Sequence, residues 1–205
     1  IVDQYGEHLV LQTTTLAMDQ RKDLIVSSLV QLLSPKSITL RNDSSMRRPE
    51  GLEEEIKMVH GDQPEPFTVK HQDSVFEIDP ANGQKTGLYL DIMDSYQRVA
   101  CLAPGKKVLD VFCNQGGFSL ACALAGAESV RAVDISEEAT AATAKNAELT
   151  GVQVETITAN AFDFLRKHDE TDDLNILDPP SFTRNKKTVK DAMREYKEIH
   201  LRALS

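Results

Sequence analysis

The sequence predicts an α/β protein in which a parallel sheet with a Rossmann-like arrangement follows a smaller α+β region. From about residue 79 onward, strand-like and helix-like segments alternate, whereas the earlier residues are mixed. Each strand-like segment of the later part also ends in a polar residue. Alternation of this kind implies right-handed crossovers and helices on both faces of the sheet. We therefore expect an α+β domain at residues 1–78 and an α/β domain at residues 79–205.

Length, composition and charge set limits on the class of protein. With 205 residues, 40% of them hydrophobic, the chain is long enough to bury a substantial core. No apolar run approaches the roughly 20 residues that cross a bilayer, and the first residues do not resemble a signal peptide. We expect a cytoplasmic protein without a membrane partner. The net charge of -9 argues against indiscriminate coating of nucleic acid but allows a local basic patch.

The first domain is predicted from changes in hydrophobic period. The segment 18–33 predicts a helix that begins near Asp19 as a cap and stops before Pro35. Its expected core stripe is Ile25, Leu29, Leu32 and Leu33. Strands are predicted at 8–14, 38–40 and 56–60, with a hairpin at 67–79.

The second domain is predicted to contain four strands, each followed by a helix. The strands are expected at 106–112, 129–135, 152–159 and 172–178, and the helices at 117–127, 136–151, 162–168 and 189–204. Ser136 is a favourable N-cap for the second helix, and Gly151 lies just beyond its end.

Polar residues at the strand ends predict a ligand site, because ligands of open parallel sheets bind beyond the carboxyl ends of the strands. Asp110 lies near the end of the first strand and is followed by a turn through Gly116 and Gly117, where unpaired helical N–H groups and close backbone approach are available. The other strands end at Asp134, Asn160 and Asp178. A helix cap at Asp134, a turn residue at Asn160 and a simple turn at the glycines remain the competing explanations.

The loop after the first strand narrows the ligand class. A nicotinamide enzyme needs G-x-G-x-x-G so that a pyrophosphate lies on the helix start, and this loop lacks that pattern. Asp110 precedes the glycines, where it would repel phosphates and attract an ammonium or sulfonium. Asp134 follows at a spacing suited to a ribose hydroxyl pair. The predicted ligand is a nucleoside with a cationic tail.

Four segments together resemble the motifs of the class I S-adenosylmethionine-dependent methyltransferases: LDVFCNQGGF, AVDIS, ANAF and DPPSF. More narrowly, GQKTGLYLD at 83–91, DPPSF at 178–182 and REYKEIHLRAL at 194–204 are similar to bacterial methyltransferases that act on cytosine C5 of large-subunit ribosomal RNA. The resemblance implies S-adenosylmethionine as cofactor and ribosomal RNA as partner. It also implies an RNA-binding PUA domain before Ile1 and a parallel sheet that is truncated here.

The resemblance assigns expected roles to the residues that match the motifs. The expected cofactor-binding residues are Tyr89, Asp91, Asp110, Asn114, Gln115, Gly116, Asp134, Ile135, Asn160, Ala161 and Asp178. Asp134 would bind the ribose, Ile135 would pack on the adenine, and Tyr89 and Asp91 would close the pocket. Ile92 and Met93 stand where relatives commonly have Gln and Arg, which leaves the contact to the cofactor carboxylate open.

The segment DPPSF predicts the reaction centre. Proline fixes the backbone and supplies no N–H, so the carbonyls beside Asp178 and Pro179 stay available to a base edge. Phe182 would stack on an extruded base. The basic residues that follow would meet RNA phosphates, with a solvated helix start as the competing reading: Arg184, Lys186, Lys187 and Lys190.

Methylation of cytosine C5 generally needs a thiolate that adds to the ring first. Cys101, Cys113 and Cys122 are odd in number, lack metal-site spacing and have the pattern of buried small residues, so we expect no metal. The resemblance places the nucleophilic cysteine beyond residue 205. The open alternatives are N-methylation of guanine or adenine and a non-catalytic RNA-binding module, and a homodimer is a further expectation.

Overall fold

The computed structural model describes residues 1–80, 87–183 and 188–204. The chain divides into two compact units, one formed by Ile1–Val69 with Glu77–Leu90 and the other by Lys70–Phe76 with Asp91–Ser205. Each unit has hydrophobic core residues of its own. The domain boundary expected from the sequence, near residue 79, stays a prediction.

The first unit contains a four-stranded mixed sheet. Its strands, in spatial order, are β1 (Val2–Tyr5), β2 (His8–Leu11), β3 (Ser37–Asn42) and β4 (Glu55–His60). The β2–β3 pair is parallel and the two outer pairs are antiparallel. The chain between β2 and β3 forms α1 (Leu16–Asp19) and α2 (Lys22–Leu33), and a 3-10 helix at Ser45–Glu50 precedes β4. Further along the chain, β5 (Phe67–His71) and β6 (Ser74–Ile78) form the hairpin that the sequence predicted, of which Lys70–Phe76 belongs to the second unit.

The predicted helix at 18–33 was wrong in two respects. Asp19 ends the short helix α1 and does not cap α2, whose N-cap is Arg21. The stripe that packs on the sheet is Ile25, Val26, Leu29 and Val30. Leu32 is 78% exposed and Leu33 46% exposed. At 3.6 residues per turn, Leu32 lies about 90° from the centre of the packed stripe, and Leu33 is the last helical residue, so neither contributes to the core.

The second unit contains the parallel sheet that the sequence predicted. In spatial order its strands are β10 (Leu174–Leu177), β7 (Lys107–Val111), β8 (Ser129–Asp134) and β9 (Glu155–Thr158), and all neighbouring pairs are parallel. The chain runs outward from β7 to β9 and then returns to pair β10 with β7. This reversal of strand order is the position at which open α/β sheets bind ligands.

Helices cover both faces of this sheet. They are α3 (Met93–Ala100), α4 (Gly117–Leu124), α5 (Glu137–Thr150), α6 (Ala161–Lys167) and α7 (Val189–Ala203). Leu109 on β7 packs with Ile199 of α7, whereas Val108 packs with Cys122 of α4. Side chains alternate along a strand, so Asp110 shares the α4 face with Val108. The sequence did not predict α3, but it did predict the α5 caps: Ser136 accepts the Ala139 N–H, and Gly151 has a φ of 78°.

Within the ranges that the structure describes, no helix combines the length and the apolar composition that a membrane span requires.

Candidate functional site

The strand register brings the predicted polar residues to one edge of the sheet. Asp110 pairs with Ala132 of β8, and Asp134 pairs with Thr158 of β9. Asp178 directly follows β10, whose last residue pairs with Val111. Because all four strands are parallel, their carboxyl ends meet along the same edge. Asp110, Asp134 and Asp178 are near enough that the charges of the latter two raise the pKa of the first.

Asp110 is a buried carboxylate with only part of its hydrogen-bonding capacity used. Its side chain is 1% exposed, and Ser119 Oγ donates to Oδ2 at 2.6 Å. Among the described residues, Oδ1 has no hydrogen-bond partner. Burial, reinforced by the charges of Asp178 and Asp134, raises the pKa of Asp110 to about 7. A buried acid in this state gains stability when a cation approaches, as a sulfonium would.

Asp134 joins the two loops on either side of it. Its Oδ2 accepts the Asn114 N–H and its Oδ1 accepts the Ser136 N–H, both at 3.0 Å. Ser136 itself caps α5 through the Ala139 N–H, so the carboxylate is not needed as the cap. Each carboxylate oxygen can accept a second hydrogen bond, as a ribose diol requires. The adjacent Ile135 is 66% exposed and presents an apolar surface beside it.

The loop between β7 and α4 has an unusual backbone. Phe112, Asn114 and Gly116 all have positive φ, which is uncommon for the two non-glycine residues. The loop is held by two buried side chains of α5: Thr143 Oγ1 donates to the Asn114 carbonyl at 2.9 Å, and Asn146 Nδ2 donates to the Gln115 carbonyl at 3.0 Å. The hydrogen bonds of these two side chains were not predicted from the sequence. Their spacing of three residues on the buried face of a helix was the available signal.

The two glycines of this loop are required by internal packing. A Cβ on Gly117 would lie 2.2 Å from Tyr96 Cζ, and one on Gly116 would lie 2.7 Å from Thr143 Cγ2. The positions that a Cβ would occupy at these two glycines are therefore already filled by Tyr96 and Thr143. Internal packing accounts for both glycines, and the close approach of a ligand to this backbone stays a prediction. A contact between Gly116 and the cofactor stays a prediction.

Asn160 has the structural role that competed with its predicted one. Its Oδ1 accepts the N–H groups of Phe162 and Asp163 at 3.0 and 3.3 Å and thereby caps α6. Adenine recognition by Asn160 and by the neighbouring Ala161 N–H stays a prediction.

The loop that begins at Asp178 packs through Phe182. The Phe182 ring lies 4.6 Å from Tyr196, 5.9 Å from Phe162 and 6.3 Å from Phe112, measured between ring centroids. Phe182 was among the residues predicted from the sequence, whereas its three aromatic partners were not. Asp178 is exposed, and partial desolvation together with the charge of Asp91 raises its pKa. Base stacking by Phe182 stays a prediction.

Several predicted site residues lie elsewhere. Arg184, Lys186 and Lys187 fall outside the described residues, as does most of GQKTG, whereas Lys190 is exposed in the first turn of α7. Tyr89 belongs to the first unit, and Asp91 begins the longer segment of the second. Their roles in closing a pocket stay predictions.

Comparison with known proteins decides the family. The model of the S-adenosylmethionine-dependent methyltransferases matches residues 45–204. The chain belongs to this family. The predicted fold class and cofactor are therefore confirmed. The methyltransferase chain is also 35% identical, over 210 residues, to "Ribosomal RNA large subunit methyltransferase I" of Aeromonas hydrophila, covering 98% of this chain and 53% of the relative. The chain spans about half the length of the curated relatives it matches.

Two solved structures share the fold. A protein from Streptococcus mutans, described as a SAM-dependent methyltransferase, superposes with a TM-score of 0.79 at 24% identity, covering 97% of this chain and 53% of that one. A methyltransferase solved in complex with SAH also superposes with a TM-score of 0.79, at 25% identity, covering 97% of this chain and 54% of the other.

The residues at the sheet edge fit S-adenosylmethionine chemically. Asp110 and Asp178 have raised pKa values, and among the described residues no cation lowers the pKa of either acid. Asp134 offers acceptors for a diol, and the exposed Ile135 offers an apolar contact. When bound, the cofactor supplies an activated methyl group on a positively charged sulfur. This methyltransferase site therefore has the charge and the acceptors that the family cofactor requires.

Proposed function

We propose that this chain forms the cofactor-binding part of an enzyme that methylates large-subunit ribosomal RNA. The observation that carries the proposal is the buried, unbalanced carboxylate of Asp110 beside Asp134 and Asp178 at the switch in strand order. Large-subunit ribosomal RNA is the substrate class in the printed names of the relatives. A module that only binds RNA would not need these carboxylates, because RNA phosphates are negatively charged.

In this proposal each carboxylate has a distinct task. Asp134 accepts both ribose hydroxyls while it continues to hold Asn114 and Ser136. Asp110 is buried next to the site edge, and its carboxylate favours the binding of a positive charge there. Asp178 starts the loop that faces the base. The loop between β7 and α4, residues 112–116, forms the cofactor loop in this proposal. The buried side chains of Thr143 and Asn146 on α5 keep its backbone in the uncommon conformation.

The finer proposal is methylation at cytosine C5, supported by the resemblance of DPPSF. Because Pro179 and Pro180 have no N–H, nearby carbonyls remain available as acceptors for an exocyclic amine of a base. Burial raises the pKa of Cys113 and of Cys122 to about 12, so neither thiol is ready to act as a nucleophile. Cys101 is exposed, so the burial expected from the sequence was wrong for this residue; it follows α3 and precedes the amino end of β7, away from the site edge. The C5 reaction therefore needs a thiol other than these three.

The second candidate is methylation of a ring or exocyclic nitrogen of guanine or adenine. The observation that favours it is the raised pKa of both buried thiols, because nitrogen targets need no covalent addition by a thiolate. An Asp/Asn-Pro-Pro-aromatic loop also serves nitrogen targets, but Ser181 separates the prolines from Phe182 in this chain, which favours the C5 proposal.

The test uses the full-length protein and ribosomal RNA from cells that lack its gene. Calorimetry with S-adenosylmethionine should give a dissociation constant in the micromolar range, and no binding at millimolar concentration would contradict the enzyme proposal. Transfer of a labelled methyl group to large-subunit RNA, followed by mass spectrometry of the nucleosides, then identifies the atom. A product of 5-methylcytidine supports the C5 proposal, and an N-methylated purine supports the second candidate.

A further inference from the structure

Tyr196 on α7 contacts the backbone of the loop that begins at Asp178. The Phe182 N–H donates to the phenol oxygen at 3.5 Å, and the phenol O–H donates to the Pro180 carbonyl at 3.4 Å. One hydroxyl group therefore acts as acceptor and donor to the same loop. The Tyr196 ring also packs on the Phe182 ring, with the centroids 4.6 Å apart.

The loop that begins at Asp178 has few backbone hydrogen-bond donors of its own, so contacts from another element stabilise it. Pro179 and Pro180 have no N–H, so Ser181 has the first backbone donor after Asp178. The Ser181 side chain donates locally, to the Thr183 carbonyl at 2.6 Å. The next backbone donor along the chain, at Phe182, is the one that contacts Tyr196. An anchor from another element fixes the path of the loop where the loop itself has few donors.

Tyr196 is itself held firmly. It lies between Ala192 and Ile199, the two buried residues of α7, and Ile199 is fully buried in the core beneath β7 and β8. Near the other end of the helix, Asn175 Nδ2 of β10 donates to the Ala203 carbonyl at 2.8 Å. The phenol is therefore fixed relative to the strand whose carboxyl end carries Asp178.

The Phe182 ring also contacts the loop between β7 and α4, through Phe112. Phe112 is the first residue after β7, has a φ of 69°, and packs edge-on against Phe182 at 6.3 Å between ring centroids. Phe182 therefore contacts Phe112, in the loop that carries Asn114, as well as Tyr196 on α7.

We propose that Tyr196 is a positioning residue of the methyl-transfer site: its hydroxyl fixes the loop from Asp178 to Phe182 relative to the cofactor loop. This proposal rests on the proposed function, because the loop matters for transfer only if a base is methylated there. In this proposal Tyr196 acts through the Pro180 carbonyl and the Phe182 N–H, and not by contact with the methyl donor or the base. Misplacement of reacting groups slows catalysis without weakening cofactor binding.

The decisive experiment compares Tyr196→Phe with Met193→Ala in the full-length protein. Tyr196→Phe removes the hydroxyl and keeps the ring, whereas Met193 is 64% exposed on the same helix and serves as the matched control. Tyr196→Phe removes both hydrogen bonds of the hydroxyl, and we expect kcat for methyl transfer to fall about 10-fold. The KM for RNA and the dissociation constant of S-adenosylmethionine should stay within about twofold of wild type, and Met193→Ala should match wild type.

A second measurement separates the positioning role from the proposed function. The Phe182 amide proton, observed by NMR in the wild type and in Tyr196→Phe, should exchange with solvent about 10-fold faster in the variant. A wild type that transfers no methyl group to large-subunit RNA would end the proposed function, while the amide exchange would still decide whether Tyr196 fixes the loop. Unchanged kcat and unchanged exchange would overturn the positioning role. Parallel losses of kcat, cofactor affinity and thermal stability would also overturn it, because they indicate a general packing role.

Discussion

Two buried charged clusters, one in each unit, have opposite electrostatic character. In the first unit Arg47 is buried and pairs with Asp19, with 2.9 Å between Nη1 and Oδ1. The guanidinium also donates to the Glu53 and Thr13 carbonyls, and Asn42 completes the cluster through Thr13. In the second unit, the buried carboxylate of Asp110 accepts a hydrogen bond from Ser119 Oγ, and its nearest charged influences are two further carboxylates.

The pKa values of the two aspartates express this difference. Burial by itself would raise the pKa of Asp19, but hydrogen bonds from Arg47 and Thr13 and the charge of Lys22 hold it below its usual value. Burial raises the pKa of Asp110 to about 7, and the charges of Asp178 and Asp134 add to the effect. The Asp19 cluster is complete without a ligand and serves stability. The Asp110 cluster lacks a positive partner among the described residues, which is what a site for a cationic ligand requires.

The strongest test of this contrast is Arg47→Met. Removal of Arg47 leaves the Glu53 and Thr13 carbonyls without their buried donor and leaves Asp19 with Lys22 as its remaining ion-pair partner among the described residues, so we expect the free energy of unfolding to fall by about 3 kcal/mol. Urea unfolding measures the loss. The control is Arg48→Met, because Arg48 is 73% exposed in its pair with Glu54 and should change stability by less than about 1 kcal/mol. Equal effects of the two variants would remove the distinction between a closed cluster and a surface pair.

Asp134→Ala tests the other side of the comparison. If the carboxylate binds the ribose hydroxyls, the loss of charged hydrogen bonds should raise the dissociation constant of S-adenosylmethionine about 30- to 100-fold, which calorimetry measures. Asp169→Ala, at an exposed carboxylate on the loop before β10, is the control and should bind as wild type does. An unchanged affinity in Asp134→Ala would reduce the residue to a brace for Asn114 and Ser136.

The pH dependence of stability should reveal the raised pKa of Asp110. Between its ordinary value of 3.8 and about 7, the folded state binds more protons at this residue than the unfolded state does. The free energy of unfolding should therefore decrease as pH rises through this window, with a slope approaching about 1.4 kcal/mol per pH unit. Urea unfolding from pH 5 to pH 8 measures the slope. Asp110→Asn should remove this contribution, and a wild type with the same slope as the variant would contradict the assigned cause.

The smallest expected effect is that of Ser136→Ala. Loss of the N-cap of α5 should lower the free energy of unfolding by about 1 kcal/mol and leave cofactor affinity within about twofold. Ser27→Ala, on the exposed side of α2, should change stability by less than about 0.5 kcal/mol. Comparison with Asp134→Ala distinguishes the two roles. A residue that only caps a helix affects stability alone, whereas a residue that binds the cofactor affects the affinity for S-adenosylmethionine. A large loss of affinity in Ser136→Ala would blur that distinction.

The local features were the most accessible to sequence reasoning. The strands of the second unit, the Ser136 cap and Gly151 after α5 depend on residues within a few positions of one another, so their patterns are visible in the chain itself. Asp110 near the end of β7 and Asp134 at the end of β8 were visible for the same reason. The error at Leu32 and Leu33 shows the limit, because an apolar residue on a helix is buried only where a partner covers it.

The long-range braces were not accessible in this way. Thr143 and Asn146 reach the cofactor loop across about 30 residues of sequence, and Tyr196 reaches Phe182 from the following helix. Their side chains have ordinary surface-helix character in the sequence, and only their neighbours give them a role. The requirement for Gly117 likewise depends on where the Tyr96 ring lies.

The sequence by itself determined the alternating elements, the acids at their ends and the family to which they point, because periodicity and capping are encoded by neighbouring residues. The tertiary structure decided which charges are balanced. Asp19 and Asp110 are the same residue type, and only the fold places Arg47 against the first and two more carboxylates near the second. Electrostatic energy depends on distance through space, which the order of residues along a chain does not specify.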